Sequence, residues 1–229
     1  MKIKEILQVE GNEQEISVKG WVRTRRGSKH VSFIALNDGS TINNIQIVAE
    51  ATDFEEELIK QVTTGSCISV IGKLVTSKGS GQAVEILATS IEVLGGADPD
   101  EYPLQPKKHS LEFLREKAHL RVRTSTFSAV MRVRSALSFA VHEFFQQEGF
   151  FHVHTPIVTG SDAEGAGEMF RVSTLDPKNP PLTKTGDIDY KSDFFGKETN
   201  LTVSGQLEAE AYTNMRNFIT VFIFLLFFK

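Results

Sequence analysis

The chain has 229 residues, of which 40% are apolar and 24% charged, with a formal net charge of −4. That length suggests one large or two small domains of ordinary globular composition. The negative balance excludes a global attraction to nucleic acid, so any such binding must rest on a local patch. The single cysteine, Cys67, excludes an internal disulfide and fits a reducing cytoplasm.

The charged start Met1-Lys-Ile-Lys-Glu5 does not read as a secretory signal. Residues 1 to about 95 read as β-structure. The stretch 16–22 alternates and then breaks at Gly20, as a bent or bulged strand does. Strands at 31–36 and 44–48 flank the turn signal Asn37-Asp-Gly-Ser40. A short helix fits 53–60, whose acidic first turn suits the helix dipole. Strands at 66–74 and 83–87 are joined by Lys78-Gly-Ser-Gly81, and the region closes near 91–94. Cys67 opens the apolar run 67–71 and is expected to be a small buried residue. Short strands in this order, with a helix between the third and fourth, predict an OB-fold β-barrel over residues 1–95.

Pro99, Pro103 and Pro106, with Gly95 and Gly96, predict a linker over 96–110. A short helix follows from Leu111, then a long one over about 126–147. In the long helix Val130, Val133, Leu137, Val141, Phe144 and Phe145 form one apolar stripe. Thr124 or Ser125 suits its cap and Gly149 its end. Residues 150–158 read as a strand. The chain then passes Pro156 into a Gly-rich turn carrying Asp162, Glu164 and Glu168. Small residues there let backbone and ligand approach closely, and a carboxylate among them can hold a cationic group such as a substrate ammonium. The polar, Pro-rich stretch 176–190 is expected to be a mobile loop. The apolar run 218–228 is shorter than the ~20 residues a membrane-spanning helix needs. It suits either a buried strand or a tail outside the fold.

Arg23, Arg25, Arg26, Lys29 and His30 crowd one short segment, a patch able to hold phosphates. Phe33 follows, where a ring exposed on a barrel face stacks an unpaired base and a ring turned inward serves the core. Gln46 and Glu85 lie on neighbouring strands, within reach of base edges. Gly20-Trp-Val22, this basic run, Phe33-Ile-Ala-Leu-Asn-Asp38 and Ile45-Gln-Ile-Val48 resemble the anticodon-binding domain of the class IIb aminoacyl-tRNA synthetases, the aspartyl, asparaginyl and lysyl enzymes. The resemblance implies that Arg26, Phe33, Gln46 and Glu85 contact the tRNA anticodon, with the Phe33 ring stacked on its middle uridine.

Gly149-Phe-Phe-His-Val-His-Thr-Pro-Ile-Val158 resembles motif 1 of class II synthetases, which implies a homodimer interface that includes Pro156 and the preceding helix. An exposed apolar stripe needs such a partner. His152 and His154 have no cysteine or third histidine beside them in sequence, so they read as surface or interface residues and not as metal ligands. The resemblance further places Glu164 at the substrate α-amino group and Ser204 and Gln206 in the amino-acid pocket. In the aspartyl enzymes a lysine pairs with the substrate carboxylate. Here Ala209 stands at that position and Glu210 follows. Two carboxylates ~4 Å apart at an effective dielectric near 20 repel by roughly 4 kcal/mol, or about three orders of magnitude against aspartate. Glu210 therefore implies a neutral amide substrate, asparagine, unless it serves only to cap a helix over 207–212.

The family's reaction joins asparagine to tRNA(Asn) in the cytoplasm, using ATP and Mg²⁺. The resemblance covers 1–212, with 111–212 as a partial class II catalytic domain. Motifs 2 and 3, which supply the ATP-clamping arginines and metal-binding carboxylates, are not found in the 229 residues. No catalytic residue is therefore assigned, and residues 213–229 read as an aberrant apolar tail with the look of a shifted frame. The chain alone is expected to be inactive in asparagine activation and not to bind ATP or Mg²⁺. Alternatives are an RNA-binding OB module without catalysis and an aspartyl-tRNA synthetase-like enzyme.

Overall fold

The computed structural model describes residues 1–79, 81–161, 169–202, 204–212 and 219–220. By contacts the chain falls into two compact units, Met1–Val133 and Arg134–Lys229.

The first unit opens with a helical turn, α1 (Ile3–Ile6), followed by β1 (Glu15–Gly27), β2 (Val31–Asn37) and β3 (Ile45–Glu50). A short helix, α2 (Glu56–Gln61), leads to β4 (Cys67–Thr76) and β5 (Val84–Gly95). The strands close into a barrel in the order β1-β2-β3-β5-β4. Alternation drives it: Ile16, Val18 and Val22 turn inward while Glu15, Ser17 and Lys19 face water. Ile34, Leu36, Ile45, Ile47, Ile68, Val70 and Ile86 are fully buried in the centre. The barrel closes through β3 and β5, which pair in parallel from Gln46 opposite Glu85 to Val48 opposite Leu87.

The break in β1 falls one turn of the pleat later than the glycine suggests. The register shifts between Val22 and Thr24, leaving Arg23 as the extra residue of a bulge. Gly20 stays in the ladder; a Cβ there would lie 2.6 Å from the Asn37 carbonyl oxygen, so close approach and not bending requires the glycine. Residues 83–87 and 91–94 belong to one continuous strand, β5, whose register with β4 shifts between Ile71 and Gly72. Cys67 is only half-buried, because its neighbour Ile68 takes the inward position and strand parity turns the thiol outward.

Two features tie flanking chain to the barrel. In α1, Ile3 and Ile6 are fully buried. The Asp38 carboxylate accepts from the Ile3 N–H (2.9 Å), the Ser40 N–H (2.9 Å) and the Ser40 hydroxyl (2.6 Å). Burial works to raise this carboxyl, but the Ser40 and Ile3 donors together outweigh it and hold it below the usual carboxylate range. The stretch after β5 has no regular structure, yet it packs. Tyr102 sits over Gly65, whose φ is +96° and where a Cβ would lie 2.9 Å from the ring. Leu104 is buried, as is Leu114 of α3 (Leu111–Glu116). These contacts carry the first unit past the expected linker, 96–110, to Val133.

The long helix α4 (Ser125–Gln147) begins in the first unit. The Thr124 hydroxyl accepts from the Phe127 N–H (3.4 Å), and Gly149 at φ +82° ends the element. Of its stripe, Val130, Val133, Leu137 and Phe144 are half or more exposed. In the second unit the expected strand 150–158 survives only at its ends, as β6 (Phe151–His152) and β7 (Val158–Thr159), with Pro156 interrupting the donors between them. β7 pairs antiparallel with β8 (Asn200–Leu201), which precedes α5 (Gln206–Tyr212); β6 pairs in parallel with β9 (Ile219–Thr220). The stretch 176–190 is a hydrogen-bonded turn and not a loose loop: the Thr183 N–H donates to the Asp187 carbonyl and the Asp189 N–H to the Pro181 carbonyl, each 2.8 Å. Glu164, with Asp162 and Glu168, lies outside the described residues, as does the terminal run apart from 219–220.

Candidate functional site

Strand pairing brings the four barrel residues together from distant points of sequence. Arg26 on β1 is the partner of Phe33 on β2, and Phe33 is the partner of Val48 on β3. Gln46 on β3 is the partner of Glu85 on β5. All four line one groove of about 760 Å³ on the barrel wall, with Lys78 and Glu50 at its margins. Phe33 is half-buried and stays out of the barrel core, its parity being opposite to that of the buried Ile34. The groove thus presents an aromatic face, a guanidinium, an amide and a carboxylate to one volume.

The polar pair is fixed. Gln46 Nε2 donates to Glu85 Oε2 at 2.9 Å, and Ser77 Oγ donates to the same oxygen at 3.0 Å. Glu85 is 8% exposed, so these bonds compensate a carboxylate drawn largely out of water. A carboxylate only accepts, so the bond settles which end of the Gln46 amide is nitrogen and turns its carbonyl oxygen elsewhere. Ser77 escaped the sequence reading: it belongs to the β4–β5 turn, where its N–H donates to the Ala83 carbonyl at 2.9 Å, and no spacing signals that it reaches Glu85.

The basic run divides. Arg26 lines the groove, while Arg25 Nη1 donates to the Ile59 carbonyl at the end of α2 (2.7 Å). Arg23, on the bulge, lines a separate cavity of about 370 Å³ with Trp21, Tyr102 and Arg123.

In the second unit, Ser204 Oγ accepts from the Gln206 N–H (3.1 Å) at the start of α5, and Gln206 Nε2 donates to Glu210 Oε1 at 3.4 Å, one helical turn on. Ser204, Gln206 and Glu210 therefore cluster on one short element, where Glu210 lies within the helix and not at its cap. Pro156 is exposed between β6 and β7. The His142 and His152 rings stand 4.6 Å apart, and His152 and His154 4.5 Å. Desolvation, then the charges of His154 and His142, lower the His152 pKa. Among the described residues no group of three or more His, Cys, Asp or Glu could hold a metal ion, and no helix is long and apolar enough to cross a membrane.

Residues 16–94 match the family described as OB-fold nucleic acid binding domain, and residues 110–207 match tRNA synthetases class II (D, K and N). The asparagine–tRNA ligase of Cytophaga hutchinsonii is 63% identical over 212 residues, 92% of this chain and 46% of that protein. Over most of its own length the chain is similar to asparagine–tRNA ligases. The asparagine–tRNA ligase of Porphyromonas gingivalis is 58% identical over 197 residues, 86% of this chain and 42% of that protein. The chain thus spans a little under half the length of these synthetases. The crystal structure of the Pyrococcus horikoshii asparaginyl-tRNA synthetase complexed with asparaginyl-adenylate matches with a TM-score of 0.74 at 23% identity, over 94% of this chain and 45% of that one. At that identity the likeness speaks for fold alone: an OB-fold barrel joined to part of a class II catalytic domain.

Proposed function

We propose that this chain carries the anticodon-reading module and part of the aminoacylating module of an asparagine–tRNA ligase. The observation that supports the reading most directly is the convergence of Arg26, Phe33, Gln46 and Glu85 on one groove. A ring that stacks a splayed base, a guanidinium for a phosphate and an oriented amide–carboxylate pair for a base edge are what recognition of an unpaired nucleotide needs. Its RNA partner is tRNA(Asn). The reading takes a barrel over 1–95, a connector over 96–110 and a partial catalytic region over 111–212, and the family matches over 16–94 and 110–207 support it.

In the intact protein the reaction has two steps. The asparagine carboxylate attacks the α-phosphorus of ATP, giving asparaginyl-adenylate and pyrophosphate. The terminal ribose hydroxyl of the tRNA then takes the acyl group and AMP leaves. Ser204, Gln206 and Glu210 select the side chain, and Glu164 holds the α-ammonium. Glu210 opposes the second carboxylate of aspartate and accepts from the carboxamide of asparagine. ATP and Mg²⁺ serve the intact enzyme. The metal-binding carboxylates and clamping arginines of motifs 2 and 3 are not found among the 229 residues. The exposed stripe of α4 and Pro156 form the homodimer face of a cytoplasmic enzyme.

Two measurements test the reading. Phe33→Ala removes one stacking platform and weakens binding of an anticodon stem-loop RNA by about 1–3 kcal/mol, measured by titration at fixed salt; unchanged affinity removes the anticodon assignment. In pyrophosphate exchange, the full-length protein is expected to use asparagine and reject aspartate, and the 229-residue chain to show no asparagine-dependent turnover. Robust exchange by the chain alone contradicts the reading of the catalytic part.

A further inference from the structure

The cavity that Arg23 lines is separate from the Phe33 groove, and its chemistry is one-sided. It is lined by Arg23 and Arg123, the rings of Trp21 and Tyr102, and the hydroxyls of Ser125 and Ser128, with no carboxylate in its wall. The adjoining cleft shares Arg23 and adds Lys107, Lys108 and His109, again without a carboxylate. In a chain of net charge −4, this leaves four formal cations (Arg23, Arg123, Lys107 and Lys108) on one continuous surface of the first unit.

Neither arginine is held in an ion pair among the described residues. Among the described residues the ion pairs join Lys60 to Glu56 and Glu57, and Arg171 to Glu198; none involves Arg23 or Arg123. Burial is the chief cause that lowers the Arg23 pKa; the Tyr102 phenol works against it, and the like charge of Arg123 adds a smaller lowering. Two guanidiniums that line one cavity repel each other, and an anion bound there relieves that repulsion. The β1 bulge sets Arg23 apart: it is the extra residue between Val22 and Thr24, outside the ladder that places Arg26 opposite Phe33.

We infer that the Arg23–Arg123 cavity and the Lys107–Lys108 cleft bind phosphates of the RNA sugar–phosphate backbone whose unstacked bases enter the Phe33 groove. This rests on the RNA-binding reading of the barrel and extends it to a second contact surface. Both surfaces hang on β1: Arg26 and Arg23 are three residues apart, roughly 10 Å along a strand, a span of one or two nucleotides. Guanidinium forks match phosphate oxygens, while Trp21 lies beside them. A free nucleotide or inorganic phosphate shares this chemistry, so the test separates the two sources.

Trp21 is the only tryptophan of the chain and lines the cavity, so its emission reports occupancy. The intact chain is titrated with an anticodon stem-loop RNA, with ATP and with inorganic phosphate, over a series of salt concentrations. The RNA is expected to change Trp21 emission, whereas ATP and phosphate at the same concentration are not. Arg123→Glu, on the exposed wall, and the double variant Lys107→Glu/Lys108→Glu are each expected to weaken RNA binding about tenfold or more. Each lost phosphate contact lowers the slope of log affinity against log salt by roughly 0.7–0.9. Phe33→Ala weakens binding without changing that slope. Melting curves of the variants that match the unaltered chain exclude misfolding, and a variant that melts early is replaced by Arg123→Gln. RNA binding that is sensitive to Phe33→Ala but indifferent to these charges overturns this inference alone. A chain that binds no RNA overturns the anticodon reading as well. Emission that answers to ATP or phosphate and not to RNA replaces the backbone with a small-molecule ligand and also overturns it.

Discussion

At the scale of single residues, the groove shows how orientation is imposed on an amide. Gln46 can present either end to a base, and the bond from its Nε2 to Glu85 decides which. Phe33, Gln46 and Glu85 were legible in the sequence because strand parity alone separates outward from inward positions. Arg23 was not: parity groups it with Arg25, and only the bulge, which no residue type announces, sends it to a different cavity. A second case of imposed geometry is Asp193, which is 8% exposed. The N–H of Thr174, then the Ser173 hydroxyl, with the Thr174 hydroxyl and the Phe194 N–H, hold its carboxyl far below the usual range. A depressed carboxyl contributes its stability in full above its unfolded value, about 4, and loses it as pH falls toward the folded value. Acid is therefore expected to loosen the region around Thr174 below about pH 4. In Asp193→Asn, hydrogen exchange of the Thr174 and Phe194 amides should be faster at neutral pH and lack the acid dependence. Retention of that dependence in the variant assigns it to another group.

Among the elements, the barrel strands were the most legible and the second unit the least. Burial alternates with period two in β1, β3 and β4, so their existence follows from alternation, whereas β6, β7 and β8 are two residues each and carry no period. The connector shows what composition leaves out. Proline and glycine excluded regular structure, which is correct, but irregular chain still packs when it brings Tyr102 and Leu104 to a surface shaped for them. Gly65 makes that seat. A side chain there meets the Tyr102 ring at 2.9 Å in a backbone conformation L-residues rarely adopt. Gly65→Ala is expected to destabilise the first unit by about 2 kcal/mol in denaturant melts. An unchanged midpoint indicates that Tyr102 moves aside freely.

For the molecule as a whole, apolar burial is unevenly shared. The core cluster, from Ile3 to Ile91, lies wholly in the first unit. Apart from Gly205, the buried residues described in the second unit are polar (Asp193, Thr199, Asn200 and Thr202), while Phe139, Phe170 and Phe194 are 69%, 76% and 77% exposed. Burial of apolar area is the chief source of stability, so the two units should not melt together. Limited proteolysis is expected to leave a resistant fragment containing the barrel and to cut the second unit first; equal rates in both refute the uneven share. The parallel β3–β5 ladder has a further consequence. It joins residues 39 apart in sequence, and Gln46 acquires its partner only when that ladder forms. On a ribosome the nascent chain cannot discriminate nucleotides until β5 has emerged, so competence arrives late and all at once. Bound RNA, spanning strands from both ends of that long loop, acts as a clasp that slows their separation.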